Sequence, residues 1–271
     1  ALFYSSAATT INNFSGVGAM TSTGTAPSQL SYTIMPLVVG RHVSSSATAL
    51  VVRGDSLTAT SSWFSALTRI FPEQPASFSM AVGSSKSAAG TADARLTDLY
   101  KYATIGAVLY GGNDFSTNGL NATVSYVKGN IDLIISQMKS RGVKKVGVGK
   151  QLMVTTSTDG WVTEANQTVP AGWQAGGIPD QYNADVDASG YDFVLPFNSV
   201  RGTNPFKWKG ETPTLTPDGV HPSLEGDAIM AAEVLPIFQA VIASLKSGYA
   251  SRLTAKLTKR LTQTLTSSEA A

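Results

Sequence analysis

The chain has 271 residues, 42% of them apolar and only 14% charged, with a formal net charge of +2. That length allows one large domain, or a main domain with a small appendage. A charge so close to neutral argues against a dedicated nucleic-acid binder. There is no cysteine, which excludes a disulfide framework and thiolate metal sites and fits any compartment.

The positive excess is local. From Ala250 onward Arg252, Lys256, Lys259 and Arg260 face only Glu269, so the remainder is close to balance. No run approaches the roughly 18 apolar residues a bilayer span needs, so no transmembrane segment is expected. Ser, Thr, Gly and Ala replace the missing charges, a composition common in extracellular and virion proteins. The chain opens on Ala1, as a processed product would. A secreted or virion-associated protein is therefore expected.

Residues 1–46 carry few charges and no helical period. The alternation from Gln29 to Met35 reads as a half-buried strand. This segment is expected to be a strand-rich N-terminal extension, with a disordered linker as the alternative. His42 lies within it and reads as a surface or packing residue.

From Ala47 the pattern becomes one of alternating strands and helices. Strands are expected at Ala47–Val52, Ser77–Val82, Thr104–Tyr110, Val143–Val148 and Tyr191–Phe197. Helices are expected at Thr60–Phe71, Thr91–Tyr102, Leu120–Arg141 and from Ser223 to Lys246, with Pro236 as a kink. Residues 152–190 read as a long irregular connection of the kind that often serves function. The expected architecture is a three-layer α/β/α domain with a flavodoxin-like parallel sheet, spanning 47–248. Residues 249–271 form a basic tail with leucines four apart at Leu253, Leu257, Leu261 and Leu265. Such a stripe suits a docked or self-associating helix, against a frayed tail as the alternative.

Parallel sheets bring strand carboxyl ends to one edge, where ligands bind. Ser56 follows the first strand in Gly54-Asp55-Ser56-Leu57, Gly83 follows the second, and Asn113 follows the third in Gly111-Gly112-Asn113-Asp114. Asp218 and His221 lie in the turn before the last helix. A serine hydroxyl is too weak an acid to attack unaided, so a base must take its proton. Only two histidines exist, and His42 is in the extension, which leaves His221. A carboxylate three residues earlier, Asp218, can reach the imidazole across a turn and fix its tautomer.

These three blocks, with Asp218-Gly219-Val220-His221-Pro222 as the last, resemble in order and spacing those of the SGNH (GDSL-type) hydrolase superfamily. The resemblance covers about residues 47–246. It implies a serine esterase or lipase that needs no cofactor or metal. By position it makes Ser56 the nucleophile and His221 with Asp218 its partners. The implied oxyanion hole comprises the Ser56 N–H, the Gly83 N–H and the Asn113 side-chain amide. Two departures stand out. The glycine block lacks its usual asparagine, which makes Gly90 a rival to Gly83. Arg53 replaces an apolar residue, so that strand end is expected to be less buried than in relatives.

Asp55 is read as a cap or brace and Asp114 as structural. Arg53-Gly54-Asp55 also spells an adhesion tripeptide, set aside because the turn is already committed. Trp161, Trp173 and Trp208 could form a platform for a sugar ring or small satellite cores. The glycosylation pattern occurs at Asn13, Asn121 and Asn166. The expected activity is hydrolysis of carboxylic esters through an acyl-enzyme, leaning to short acyl groups such as O-acetyl on a glycan. The alternatives are a lipase- or thioesterase-type hydrolase, or a non-enzymatic binding or virion-decorating module on the same fold.

Overall fold

The computed structural model describes residues 48–268 apart from 60–61, 73–74, 93–96 and 117–118, with backbone alone from residue 249. The expectations for residues 1–46 (His42 and Gln29–Met35 included) lie outside the described residues. So do the side chains of the leucine repeat.

Five parallel strands form the main sheet: β1 Ala49–Gly54, β2 Ala76–Ser79, β3 Ile105–Leu109, β4 Lys145–Gly149 and, last, Phe193–Leu195. Their spatial order is second, first, third, fourth, last, which is the flavodoxin-like order the sequence predicts. Every residue of β1 and β3 is buried, as continuous apolar runs require when helices cover both faces.

Among the described residues the helices include α1 Ser56–Ala59, α2 Trp63–Ile70, α3 Ser87–Ala92, α4 Gly112–Phe115, α5 Val124–Ser140, α6 Ile178–Ala188 and α7 Leu224–Ser268, with a 3₁₀ turn at Asp98–Tyr102. On one face Leu50 and Val52 of β1 join Trp63, Phe64 and Leu67 of α2 and Met230, Val234 and Phe238 of α7 in the main core. On the other, α3 and α5 pack together. A Cβ at Gly90 would come within 2.6 Å of Ile134 Cδ1 and 3.0 Å of the Tyr110 ring, so α3 packs closely over these side chains at this glycine.

The helix predicted at Thr60–Phe71 appears as α2, with Ser62 at its N-cap, and the chain makes the separate turn α1 behind Ser56. Of the predicted helix at Thr91–Tyr102, residues 91–92 close α3, Thr97 is helical and Asp98–Tyr102 form the 3₁₀ turn, while 93–96 lie outside the described residues. Residues 152–190 hold more order than expected. They contain a two-stranded antiparallel pair, β5 Thr156–Ser157 with β6 Gln167–Thr168, and α6. Only Pro179, Tyr182 and Val186 of α6 are buried, a stripe too thin to announce itself against the glycines before it. Phe193–Leu195 is accordingly β7.

The final helix is longer than the predicted Ser223–Lys246. It runs through Pro236 without ending and continues to Ser268. Its Leu224–Gly248 portion is also long and apolar enough to cross a membrane by length and composition, with a mean hydropathy of 1.9. Glu233, Pro236 and Gln239 interrupt that stretch without lowering its average much, which is why no apolar run stood out. Met230, Ala231, Val234, Phe238, Val241 and Ile242 along it are buried core residues.

Asp227, in the first turn of α7, is buried, and its Oδ1 lacks a hydrogen-bond partner. Burial pushes its carboxyl up to about 8, against a smaller opposing pull from the Trp63 backbone N–H. A pKa raised on folding favours the folded state fully below the unfolded value of 3.8, and that advantage is lost as pH rises towards 8. Asp227→Asn should therefore melt higher than wild type at pH 8, by about 5 °C. The gap should close near pH 4, and thermal denaturation across pH 4–9 measures it.

Candidate active site

The site begins where β1 ends. Gly54 pairs with Leu109 of β3, and a Cβ there would lie 2.6 Å from the Leu109 carbonyl oxygen and 2.8 Å from Thr58 Oγ1. Only glycine lets the chain turn so close to its neighbour. Asp55 follows, fully buried. Its Oδ1 accepts from the Leu57 N–H at 3.0 Å and its carbonyl from the Thr58 N–H at 3.0 Å, so it caps the turn behind Ser56. Burial pushes the Asp55 carboxyl up to about 7, with the Leu57 N–H pulling it down.

Ser56 meets His221 across 165 residues of chain: Oγ and Nε2 are 2.9 Å apart. His221 Nδ1 lies 2.7 Å from Asp218 Oδ2. A carboxylate acceptor there places the ring proton on Nδ1 and leaves the Nε2 lone pair facing the serine hydroxyl. Asp218 Oδ1 also accepts from the backbone N–H groups of Val220 (2.9 Å) and His221 (2.7 Å). Partial burial pushes the Asp218 carboxyl up, but these bonds and the imidazole outweigh it and hold it below its ordinary value. It is therefore an anion at neutral pH. The arrangement can take a proton from Ser56 onto His221 and stabilise the resulting imidazolium.

Gly83 and Asn113 lie at the same sheet edge. Gly83 sits in an exposed turn after β2 whose next residue, Ser84, has φ of +58°. That turn is anchored by Val82 N–H donating to Gly54 O (3.0 Å) and by Ser85 N–H donating to Val82 O (3.2 Å). One N–H of the Asn113 amide donates to Ser85 O at 3.1 Å, which orients the side chain and leaves its second N–H. Gly90, the rival glycine, lies inside α3, where close packing accounts for it. Asp114 is fully buried and accepts from the Ser87 N–H and hydroxyl, joining α4 to the start of α3. Burial pushes its carboxyl up, with the bonds from Ser87 opposing.

Arg53 requires a correction. The strand end is not less buried: Arg53 is 3% exposed. Its guanidinium donates to the carbonyls of Met80 and Ala89, inside the protein.

The tryptophans divide. Trp208 is 0% exposed and cannot offer a face to a sugar, which corrects the platform reading for that residue. Its Nε1–H donates to Gly219 O at 2.9 Å, behind the turn that carries Asp218 and His221. Trp161 is half-buried, donates to Thr155 Oγ1 at 2.9 Å and also backs that turn. Trp173 is half-buried in the loop before α6.

Thr216, Thr155 and Trp208 form a support that sequence reasoning missed. Thr216 Oγ1 accepts from the Gly219 N–H (2.8 Å) and donates to His221 O (2.7 Å), closing the turn on itself. The Thr155 N–H donates to Gly219 O at 3.0 Å. A threonine two residues before an aspartate is a local turn signal, but no pattern announces an indole 11 residues upstream. Gly219 has φ of +78°, and a Cβ there would lie 1.9 Å from Thr155 O. Gly219→Ala should destabilise the protein by more than about 2 kcal/mol, measured by denaturant titration.

No family model matches the chain, and no curated protein does. Solved structures do. A Bacteroides fragilis protein described as an acylhydrolase is 18% identical, covering 72% of this chain and 88% of its own, with a TM-score of 0.51. A carbohydrate esterase family 3 protein from Talaromyces cellulolyticus is 14% identical over 73% of this chain and 99% of its own, at 0.50. An acetyl esterase variant with an acetate ion is 12% identical over 73% and 99%, at 0.51. At these identities the likeness is one of fold. What these structures share with this chain is a parallel sheet with helices on both sides.

Proposed function

We propose that this chain is a serine esterase that hydrolyses carboxylic esters through an acyl-enzyme. The observation that carries the reading is the unbroken line from Ser56 Oγ to His221 Nε2 (2.9 Å) and from His221 Nδ1 to Asp218 Oδ2 (2.7 Å). It stands at the carboxyl edge of the sheet, where the chain switches direction between β1 and β3.

His221 takes the hydroxyl proton as Ser56 Oγ attacks the ester carbonyl carbon. The carbonyl oxygen becomes an oxyanion, held by the N–H groups of Ser56 and Gly83 and by the Asn113 amide. Collapse breaks the bond to the alcohol oxygen, which leaves with the proton from His221. Water, deprotonated by the same imidazole, then releases the acid and restores Ser56. The chemistry needs no cofactor.

The substrate reading leans to short acyl groups, O-acetyl on a carbohydrate foremost. A hollow of about 290 Å³ beside Ser56 and His221 is lined by Leu57, Ser62, Leu224 and Asp227, more polar than a long alkyl chain would want. Two structures of the same fold are described as a carbohydrate esterase and an acetyl esterase. Of the three loop tryptophans, Trp173 and Trp161 are the two left to meet a sugar.

Ser56→Ala should abolish both turnover of p-nitrophenyl acetate and labelling by a fluorophosphonate, while retained turnover would remove Ser56 as nucleophile. Asn113→Ala should fold and slow kcat by about 100–1000-fold; wild-type rates would put the oxyanion hole elsewhere. Across p-nitrophenyl esters of two to twelve carbons, run beside acetylated oligosaccharides, kcat/KM should fall steeply with chain length. A maximum at eight carbons or more would replace the acetyl reading with a lipase-type one.

A further inference from the structure

β1 carries a charge in a place built for an apolar side chain. Leu50 and Val52 point into the core against α2 and α7. Arg53, on the opposite face, is as buried as they are. Its guanidinium makes no ion pair with a carboxylate among the described residues. Instead Nη1 donates to Met80 O and Nη2 donates to Ala89 O at 3.2 Å. Nε has no partner. A buried, unpaired guanidinium is costly, and an apolar residue of similar volume would avoid that cost.

The two carbonyls it grips are informative. Met80 stands immediately after β2 and Ala89 lies inside α3, so the fork spans the base of the segment that carries Gly83, Ser84 and Ser85. The tip of that segment packs loosely at Gly83. A Cβ added at Gly83 would meet nothing within 4 Å, and Gly83 and Ser84 are exposed. Further ties are backbone bonds near Gly54, the Ser85 hydroxyl donating to Val82 O (2.7 Å) and Gly54 O (3.4 Å), the Asn113 amide on Ser85 O, and Ser87 donating to Asp114 at the far end of the segment. The rigid, two-pronged geometry of guanidinium suits a clamp between two fixed carbonyls in a way that a lysine ammonium does not.

We infer that Arg53 is a positioning residue for the oxyanion hole, clamping Met80 O and Ala89 O so that the Gly83 N–H and the Asn113 amide converge beside Ser56. The inference rests on the esterase reading above. Arg53 touches no substrate and acts through the 80–89 segment. Its location one residue before Gly54 also ties the segment to the strand that delivers the nucleophile, so both halves of the site move as one body.

The test uses Arg53→Met, which keeps volume and removes the fork, and Arg53→Lys, which keeps the charge and loses the second prong. Active sites are first counted by fluorophosphonate titration, so that unfolded molecules do not contribute. Per titrated site, Arg53→Met should lower kcat for p-nitrophenyl acetate by about 10–100-fold with KM within about twofold, since a misplacement near 1 Å costs about that much. Affinity for a boronic acid that mimics the tetrahedral adduct should weaken by the same factor, and Arg53→Lys should fall between Met and wild type. A merely structural role would lower the melting temperature and the count of active sites while leaving kcat per site unchanged. That result, or equal losses in kcat and KM, overturns the proposal. If Arg53→Met does not fold, the Lys variant decides by the same split. Wild-type protein that neither labels nor turns over would overturn the esterase reading itself; wild type that labels, beside an Arg53→Met variant that labels as fast, overturns only the role of Arg53.

Discussion

The candidate site depends on the close parallel pairing of β1 with β3. Gly54 lies against Leu109, with no room for a side chain between them. That contact brings the turn after β1 and the turn after β3 to the same edge, on either side of the point where the chain changes direction. Ser56 and Asn113, far apart in sequence, thus share one rim. A larger residue at Gly54 would separate the strands at the place where the two turns must meet.

The other half of the site is a turn made rigid from behind. Gly219 takes a conformation that L side chains avoid, and its carbonyl accepts from both Thr155 and Trp208. Trp208 is itself held by Gln167, whose side chain accepts from its N–H and donates to its carbonyl. The long connection after β4 is therefore part of the frame that holds Asp218 and His221. Its length, which suggested function, serves positioning.

Buried polar groups gather beneath the same edge. Arg53, Asp55 and Asp114 are all nearly or fully buried, and each binds backbone N–H or C=O groups of a neighbouring turn. Apolar residues would pack there at lower cost. Local rules are broken most often where function demands a particular backbone geometry, and here the exceptions coincide with the turns carrying Ser56, Gly83 and Asn113.

Much of this was legible without coordinates. Alternating apolar runs and turn residues disclose strands, helices and their parallel arrangement, because periodicity reflects burial on one face or two. The Gly-Asp-Ser and Asp-x-x-His blocks point to Ser56, Asp218 and His221 as candidates, because a serine, its base and the base's carboxylate each need one residue type, and the resemblance adds Asn113 of the Gly-Gly-Asn-Asp block. What the sequence concealed depends on contacts between distant segments. Arg53 reads as the mark of a less buried strand end until the carbonyls of Met80 and Ala89 are seen around it. Trp208 reads equally as a sugar platform or a satellite core until Gly219 is found against its indole nitrogen. Helix α6 disappears because only three of its residues face inward. The amino-acid order alone determined the chemical groups and their order along the chain; the tertiary structure alone decided which of them meet, because a hydrogen bond across 165 residues leaves no periodic trace.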